Sequence, residues 1–187
     1  MDGDILHHAT TRRGGSFAPE ALGADLAPGS GTGGPLEAVL ERPLARPSRG
    51  ADTDRLMDWA RSRGGRLLVV DDSPTNRMVV AGLLAKAGFS VETATGGAEA
   101  VDAVVRSPLP PEAVLMDVAM PDVDGVSATM TIRSLDGERA HIPIIAVTAN
   151  AQPDDRSRCL AAGMNDYLTK PVRRADLLGA LERWLVP

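Results

Sequence analysis

The sequence predicts an α/β protein: a doubly wound parallel sheet occupying residues 66–187, behind an extension, residues 1–65, that is mostly disordered. Three observations carry this expectation. Short, continuous apolar runs alternate with longer amphipathic stretches from Arg66 onward. Turn residues separate them, and several of the runs end in an acid or a hydroxyl. Before Arg66 the composition is different, with 11 of the chain's 19 glycines and 5 of its 14 prolines. Such a stretch has little to bury and much conformational entropy to lose.

Taken in order, Leu67-Leu68-Val69-Val70 reads as a strand buried on both faces. Pro74 suits a first helical turn, Met78, Val79, Leu83 and Leu84 follow at helical spacing, and Gly88 ends the helix. Ser90 to Ala94 alternates like a half-exposed edge strand. Gly97 to Arg106 is helical, with Ala100, Val101, Val104 and Val105 expected to face inward. Strands are expected at 113–116, 144–147 and 166–169, and helices at 126–135, 154–162 and 173–185. Five strands alternating with five helices imply right-handed crossovers and a parallel sheet covered on both faces. In the extension, only 36–41 and 53–61 look helical, the second with Leu56, Met57, Trp59 and Ala60 as a partial apolar face. A helix that short forms only by docking.

Composition narrows the function classes. A net charge of −5 argues against broad electrostatic contact with nucleic acid. A single cysteine, Cys159, excludes an internal disulfide and fits a reducing compartment. No signal-peptide pattern opens the chain and no apolar run reaches the length of a membrane span, so the expectation is a cytoplasmic protein without membrane contact. The glycine-rich run 29–35 lacks the Gly-Lys-Ser/Thr of a phosphate-binding loop.

A doubly wound sheet gathers ligands at the carboxyl ends of its strands. The first strand ends in Asp71-Asp72, the third in Asp117, the fourth in Thr148, and Lys170 follows the fifth. Carboxylates so close repel one another unless a cation intervenes, and an all-oxygen set suits a hard ion such as Mg²⁺. A metal, an ammonium and a hydroxyl around one carboxylate can stabilise a transferring phosphoryl group, with Asp117 as nucleophile.

Four segments in order resemble the response-regulator receiver family: Leu68-Val69-Val70-Asp71-Asp72, Leu115 through Gly125, Val147-Thr148-Ala149-Asn150, and Gly163 through Pro171. The wording most resembles receivers attached to hybrid histidine kinases. The resemblance implies a flavodoxin-like sheet in the order 2-1-3-4-5. It implies Asp117 as phosphoacceptor of a two-component phosphorelay, with Asp72 and Asp117 on Mg²⁺ directly. Asp71 would act through metal-bound water, and the carbonyl of Ala119 would complete the protein ligands. Thr148 and Lys170 would grip phosphoryl oxygens, and Lys170-Pro171 would be cis. Tyr167 matches the family's switch aromatic, turning inward as Thr148 moves and altering the surface around 154–162, 166–169 and 173–185. The donor would be a histidine kinase or a histidine-phosphotransfer domain, and dimerisation on phosphorylation is open. Such a chain is a signalling switch with self-catalysed phosphorylation and dephosphorylation rather than a turnover enzyme.

Ala119 departs from the family, where many members carry a larger or polar side chain, and with Asn150 it flanks the path of a hydrolysing water. The expected consequence is an altered phosphate lifetime. Two other readings stand beside this one. Asp122-Val123-Asp124-Gly125 matches the Asp-x-Asp-Gly signature of haloacid-dehalogenase-type phosphatases, but follows Met120-Pro121 in a loop instead of ending a strand. A phosphorylation-independent scaffold would keep the fold, but the acid, hydroxyl and lysine set is complete.

Overall fold

The structure, a computed structural model, describes residues 50–149 and 152–185. The helix expected at 36–41, the glycine-rich run and Asn150 lie outside the described residues. Five parallel strands, β1 (Arg66–Val70), β2 (Ser90–Ala94), β3 (Ala113–Asp117), β4 (Ile144–Thr148) and β5 (Asp166–Thr169), lie in the order β2-β1-β3-β4-β5. Register is continuous across the sheet: Val70 lies beside Ala94 and Met116, Asp117 beside Val147, and Thr148 beside Thr169. The helices are α1 (Gly50–Arg63), α2 (Pro74–Lys86), α3 (Gly97–Arg106), α4 (Gly125–Arg133), α5 (Pro153–Ala161) and α6 (Arg174–Trp184), with a 3₁₀ turn at Gly137–His141. Among the described residues, no helix is long and apolar enough to cross a membrane.

The unbroken apolar runs in the inner strands follow from the sheet's being covered on both faces. Successive side chains point to opposite faces, so Leu67, Val69, Leu115, Ile145 and Val147 enter one core with α1, α2 and α6. Leu68, Val70, Val114, Met116, Ile144 and Ala146 enter the other, with α3, α4 and α5. Each fully buried leucine or isoleucine contributes about 1.5–3 kcal/mol, and these strands hold Leu67, Leu68, Leu115, Ile144 and Ile145 with essentially no exposure. β2 is open to solvent along most of its length, as an edge strand should be.

One helical face that the spacing left open is settled by the structure, and one differs from expectation. On α2 the residues turned to the sheet are Val80 and Leu84, followed by Ala87, whereas Met78 and Val79 are 71% and 52% exposed. Helical spacing links Met78 to a possible apolar face, but burial is decided by the stripe at 80, 84 and 87. Val105 on α3 is likewise exposed, while Ala100 and Val104 point inward.

The helix read over 53–61 extends to both sides, from Gly50 to Arg63. Docking stabilises it: Leu56, Met57 and Ala60 are buried in the core that holds Leu177, Leu178 and Leu181 of α6. Trp59 packs its ring against Phe89 at 6.1 Å between centroids. Gly88, at φ +100°, lets the α2–β2 turn pass close to the backbone of Arg61, where a Cβ would lie 3.2 Å from its Cα.

Candidate functional site

Parallel pairing brings the carboxyl ends of β1, β3 and β4 and the residues after β5 to one edge of the sheet. There Asp71 and Asp117 are 3% and 4% exposed, Thr148 is buried, and Asp72 is open to solvent. One carboxylate oxygen from each of Asp71, Asp72 and Asp117 lies within 4.8 Å of the others. Lys170, past the end of β5, reaches back so that Nζ lies 2.8 Å from Asp71 Oδ2 and 2.7 Å from Asp117 Oδ2. The Lys170–Pro171 peptide is cis, and the Lys170 amide donates to the Thr148 carbonyl at 2.7 Å.

The loops hold these groups from several sides. The other oxygen of Asp71 accepts from the Ser73 amide at 2.9 Å and from Asn76 Nδ2 at 3.3 Å. Ser73 also caps α2, with Pro74 in its first turn. Asp117 Oδ1 accepts from the Ala119 amide at 3.4 Å. After Asp117 the chain turns sharply, with Asp122 at φ 62°, and Gly125 opens α4 directly behind the site. A Cβ on Gly125 would overlap the carbonyl oxygen of Asp117, so only glycine fits. Asp124 caps α4 by accepting from the Ser127 amide at 2.7 Å. The Asp-x-Asp-Gly segment is therefore a turn and a helix cap, not a strand-end pair.

The electrostatics are unbalanced. Burial pushes the Asp117 carboxyl above the usual carboxylate range, Lys170 pulls against it, and Asp71 adds to the rise. Burial alone would lower the Lys170 ammonium, but its hydrogen bonds to Asp117 and Asp71 prevail and hold it above its ordinary value. Three carboxylates against one ammonium leave a formal deficit of two positive charges (−3 + 1 = −2). The donors are all oxygens, so the residues fit a divalent hard cation.

A cavity of about 410 Å³ is lined by Val118, Ala119, Thr148 and Arg158, and so adjoins the loop after Asp117. Tyr167 is buried, in the core that also holds Cys159. Burial raises its phenol, the nearby Cys159 and Asp155 add to this, and a hydrogen bond shared with the Thr148 side chain opposes it.

The structure thus brings Asp71, Asp72, Asp117, Thr148 and Lys170 to one edge, with Ala119 on the adjoining loop and Tyr167 just inside it. Sequence reasoning missed Ser73, Asn76 and Arg77, which act on the acids through α2. The one signal in the sequence was their place in the turn and first helical turns after Asp71-Asp72.

The family model for the response regulator receiver domain matches residues 67–182. The chain belongs to that family. It is 42% identical over 125 residues to the sensor protein GacS of Pseudomonas syringae pv. syringae, a match covering 66% of this chain and 14% of that protein. It is 35% identical over 123 residues to hybrid signal transduction histidine kinase B of Dictyostelium discoideum, covering 60% of this chain and 6% of that protein. The receiver thus corresponds to a small part of these curated relatives. Among solved structures it resembles the receiver domain of sensor histidine kinase PA1611 from Pseudomonas aeruginosa PAO1, whose crystal structure has a magnesium ion coordinated in the active site cleft. That match has 43% identity and a TM-score of 0.60, over 65% of this chain and 98% of the other. The chemotaxis protein CheY4 of Vibrio cholerae matches at 30% identity and a TM-score of 0.59, over 64% and 98%. The receiver is therefore a signalling switch of two-component systems.

Proposed function

We propose that this receiver accepts a phosphoryl group on Asp117 from a phosphohistidine donor, with Mg²⁺ held by Asp72, Asp117 and the Ala119 carbonyl, and Asp71 acting through metal-bound water. The observation that carries the reading is the convergence of Asp117 with Asp71, Asp72, Lys170 and Thr148 at one sheet edge. A carboxylate oxygen of Asp117 attacks phosphorus, the phosphorus–nitrogen bond of the donor breaks, and the imidazole leaves with a proton. Asp71, Asp72 and Asp117 would hold Mg²⁺, which would supply the two positive charges that they lack and stabilise charge on the phosphoryl oxygens. Lys170 follows the incoming group, exchanging its contact with Asp117 Oδ2 for a phosphoryl oxygen, and the Thr148 hydroxyl donates to another.

The donor is a histidine kinase or a histidine-phosphotransfer domain, and Met78 and Val79, exposed on the helix that follows Asp72, offer it an apolar contact. Tyr167 carries the switch: its phenol shares a hydrogen bond with Thr148, so a shift of that hydroxyl toward phosphate alters the packing between α5 and β5. Ala119 lines the neighbouring cavity with only a methyl group and so alters the phosphate lifetime.

Intact mass after incubation with Mg²⁺ and acetyl phosphate tests the chemistry. An adduct of about 80 Da, one PO₃H unit, is expected in the wild type and absent in Asp117→Ala. An adduct that survives in Asp117→Ala would put the phosphate elsewhere. Neither adduct nor Mg²⁺ binding in the wild type would leave the fold as a scaffold.

A further inference from the structure

We infer that Arg77 is a positioning residue for the metal site: its guanidinium holds the backbone beneath Asp71 and Asp72 and thereby sets the affinity of the acids for Mg²⁺. The inference rests on the proposed Mg²⁺-dependent phosphoacceptor reading. The backbone geometry is its starting point. The Asp71 amide makes the last link between the β1 edge and β2, donating to the Ala94 carbonyl at 3.3 Å. Beyond it the chain leaves the sheet, and the carbonyls of Asp71 and Asp72 need partners from another source. One nitrogen supplies both. Arg77 Nη1 donates to the Asp71 carbonyl at 2.5 Å and lies 3.4 Å from that of Asp72.

Arg77 can do this because α2 starts immediately after the acids. Its own amide donates to the Ser73 carbonyl at 3.0 Å, which anchors its place in the first turns of the helix. The side chain then folds back over the loop from which the helix began. The two acids are held differently. The Asp71 carboxylate is buried and gripped by Ser73, Asn76 and Lys170. Asp72 is exposed, and the contact of its carbonyl with Arg77 restrains the backbone from which its carboxylate projects. Groups that orient metal ligands in this way are commonly worth about 10–100-fold in metal affinity.

The proposal has a sign that simple electrostatics does not share. Arg77 places a positive charge close to a cation site, so charge alone predicts that removing it would tighten Mg²⁺ binding. A positioning role predicts the reverse. Glu99 faces Arg77 from the start of α3; hydrogen bonds from the Thr95 amide and hydroxyl hold its carboxyl below the usual range, and Arg77 adds a smaller pull.

Isothermal titration of the full chain with MgCl₂ tests the idea on wild type, Arg77→Met and Arg77→Lys, each shown by circular dichroism to be folded. The expected result is about tenfold weaker binding for Arg77→Met. Arg77→Lys, which keeps the charge and one donor, should fall between. Wild-type-like or tighter binding by Arg77→Met overturns the proposal while leaving the phosphoacceptor reading intact. Absence of Mg²⁺ binding by the wild type overturns both. If Arg77→Met does not fold, Arg77→Gln decides alone: it is neutral and too short to hold both carbonyls, so unchanged or tighter Mg²⁺ binding there overturns the proposal.

Discussion

At the carboxyl ends of the strands Asp71 and Asp117 are buried with a single ammonium between them. At the amino ends the charged groups are paired and the apolar ones are sealed beneath α1. There Arg63 pairs with Glu112 at 2.5 Å, and the other Glu112 oxygen accepts from the Arg66 amide at 3.1 Å. Leu56, Met57 and Ala60 close the core above them. One end is complete by itself; the other is a set of charges that only a ligand completes. Stability and function therefore lie at opposite poles of one sheet, and substitutions at the two poles should separate them.

Gly125→Ala should have the largest effect, because it strikes the backbone on which the site itself is built. Its Cβ would overlap the Asp117 carbonyl, so either α4 or the end of β3 must shift. A loss of about 3 kcal/mol in urea unfolding is expected, together with a lower phosphoryl adduct yield. Leu56→Ala should come next at about 2–3 kcal/mol, toward the lower part of the range for buried leucines because the rim of the core can partly close. The comparison predicts that Mg²⁺ affinity in this variant stays within about twofold of wild type. A loss of Mg²⁺ affinity there would mean that the poles are coupled.

These two positions also show what could be read before the structure. The inner strands were legible because a strand buried on both faces leaves an unbroken apolar run, and acids at their ends then locate the site. Gly125 was legible only as part of a motif, since its need for glycine comes from a carbonyl eight residues earlier in the chain. α1 could be read only in part: three buried side chains in fourteen residues form a weak stripe, and its stability comes from α6, more than a hundred residues away. The helical spacing of Met78, Val79, Leu83 and Leu84 marked a helix correctly, but it did not say which apolar stripe meets the sheet, and Met78 and Val79 are exposed. Arg77 left no mark because it acts on backbone carbonyls, which every residue possesses.

Asp117→Asn should have a smaller effect of the opposite sign. Burial raises the Asp117 carboxyl, so its ionisation opposes folding in the metal-free protein. The protonated carboxyl instead favours folding, a contribution fully present below the unfolded value near 3.8 and lost as pH rises through the raised folded value. The amide should therefore stabilise the metal-free domain at neutral pH, read as a higher melting temperature. The advantage should vanish in acid, where the wild-type carboxyl is protonated too. Added Mg²⁺ should raise the melting temperature of the wild type more than that of the variant. An equal gain from Asp117→Asn at acid and neutral pH would show that the cause is packing, not charge.

The smallest effect belongs to the pair that looks strongest by distance. Arg55 meets Glu182 through two contacts, at 2.5 and 2.8 Å; the pairing raises the Arg55 guanidinium and lowers the Glu182 carboxyl, as an ion pair should. Yet Arg55 is mostly exposed, so water screens the attraction and ordering two long side chains offsets much of what remains. Arg55→Ala should leave the melting temperature of the full chain within replicate scatter, and 1 M NaCl should change wild type and variant alike. A clear loss that salt abolishes would show that charge, and not the apolar residues beneath it, holds α1 on α6. The amino pole would then be as dependent on electrostatics as the site at the other end.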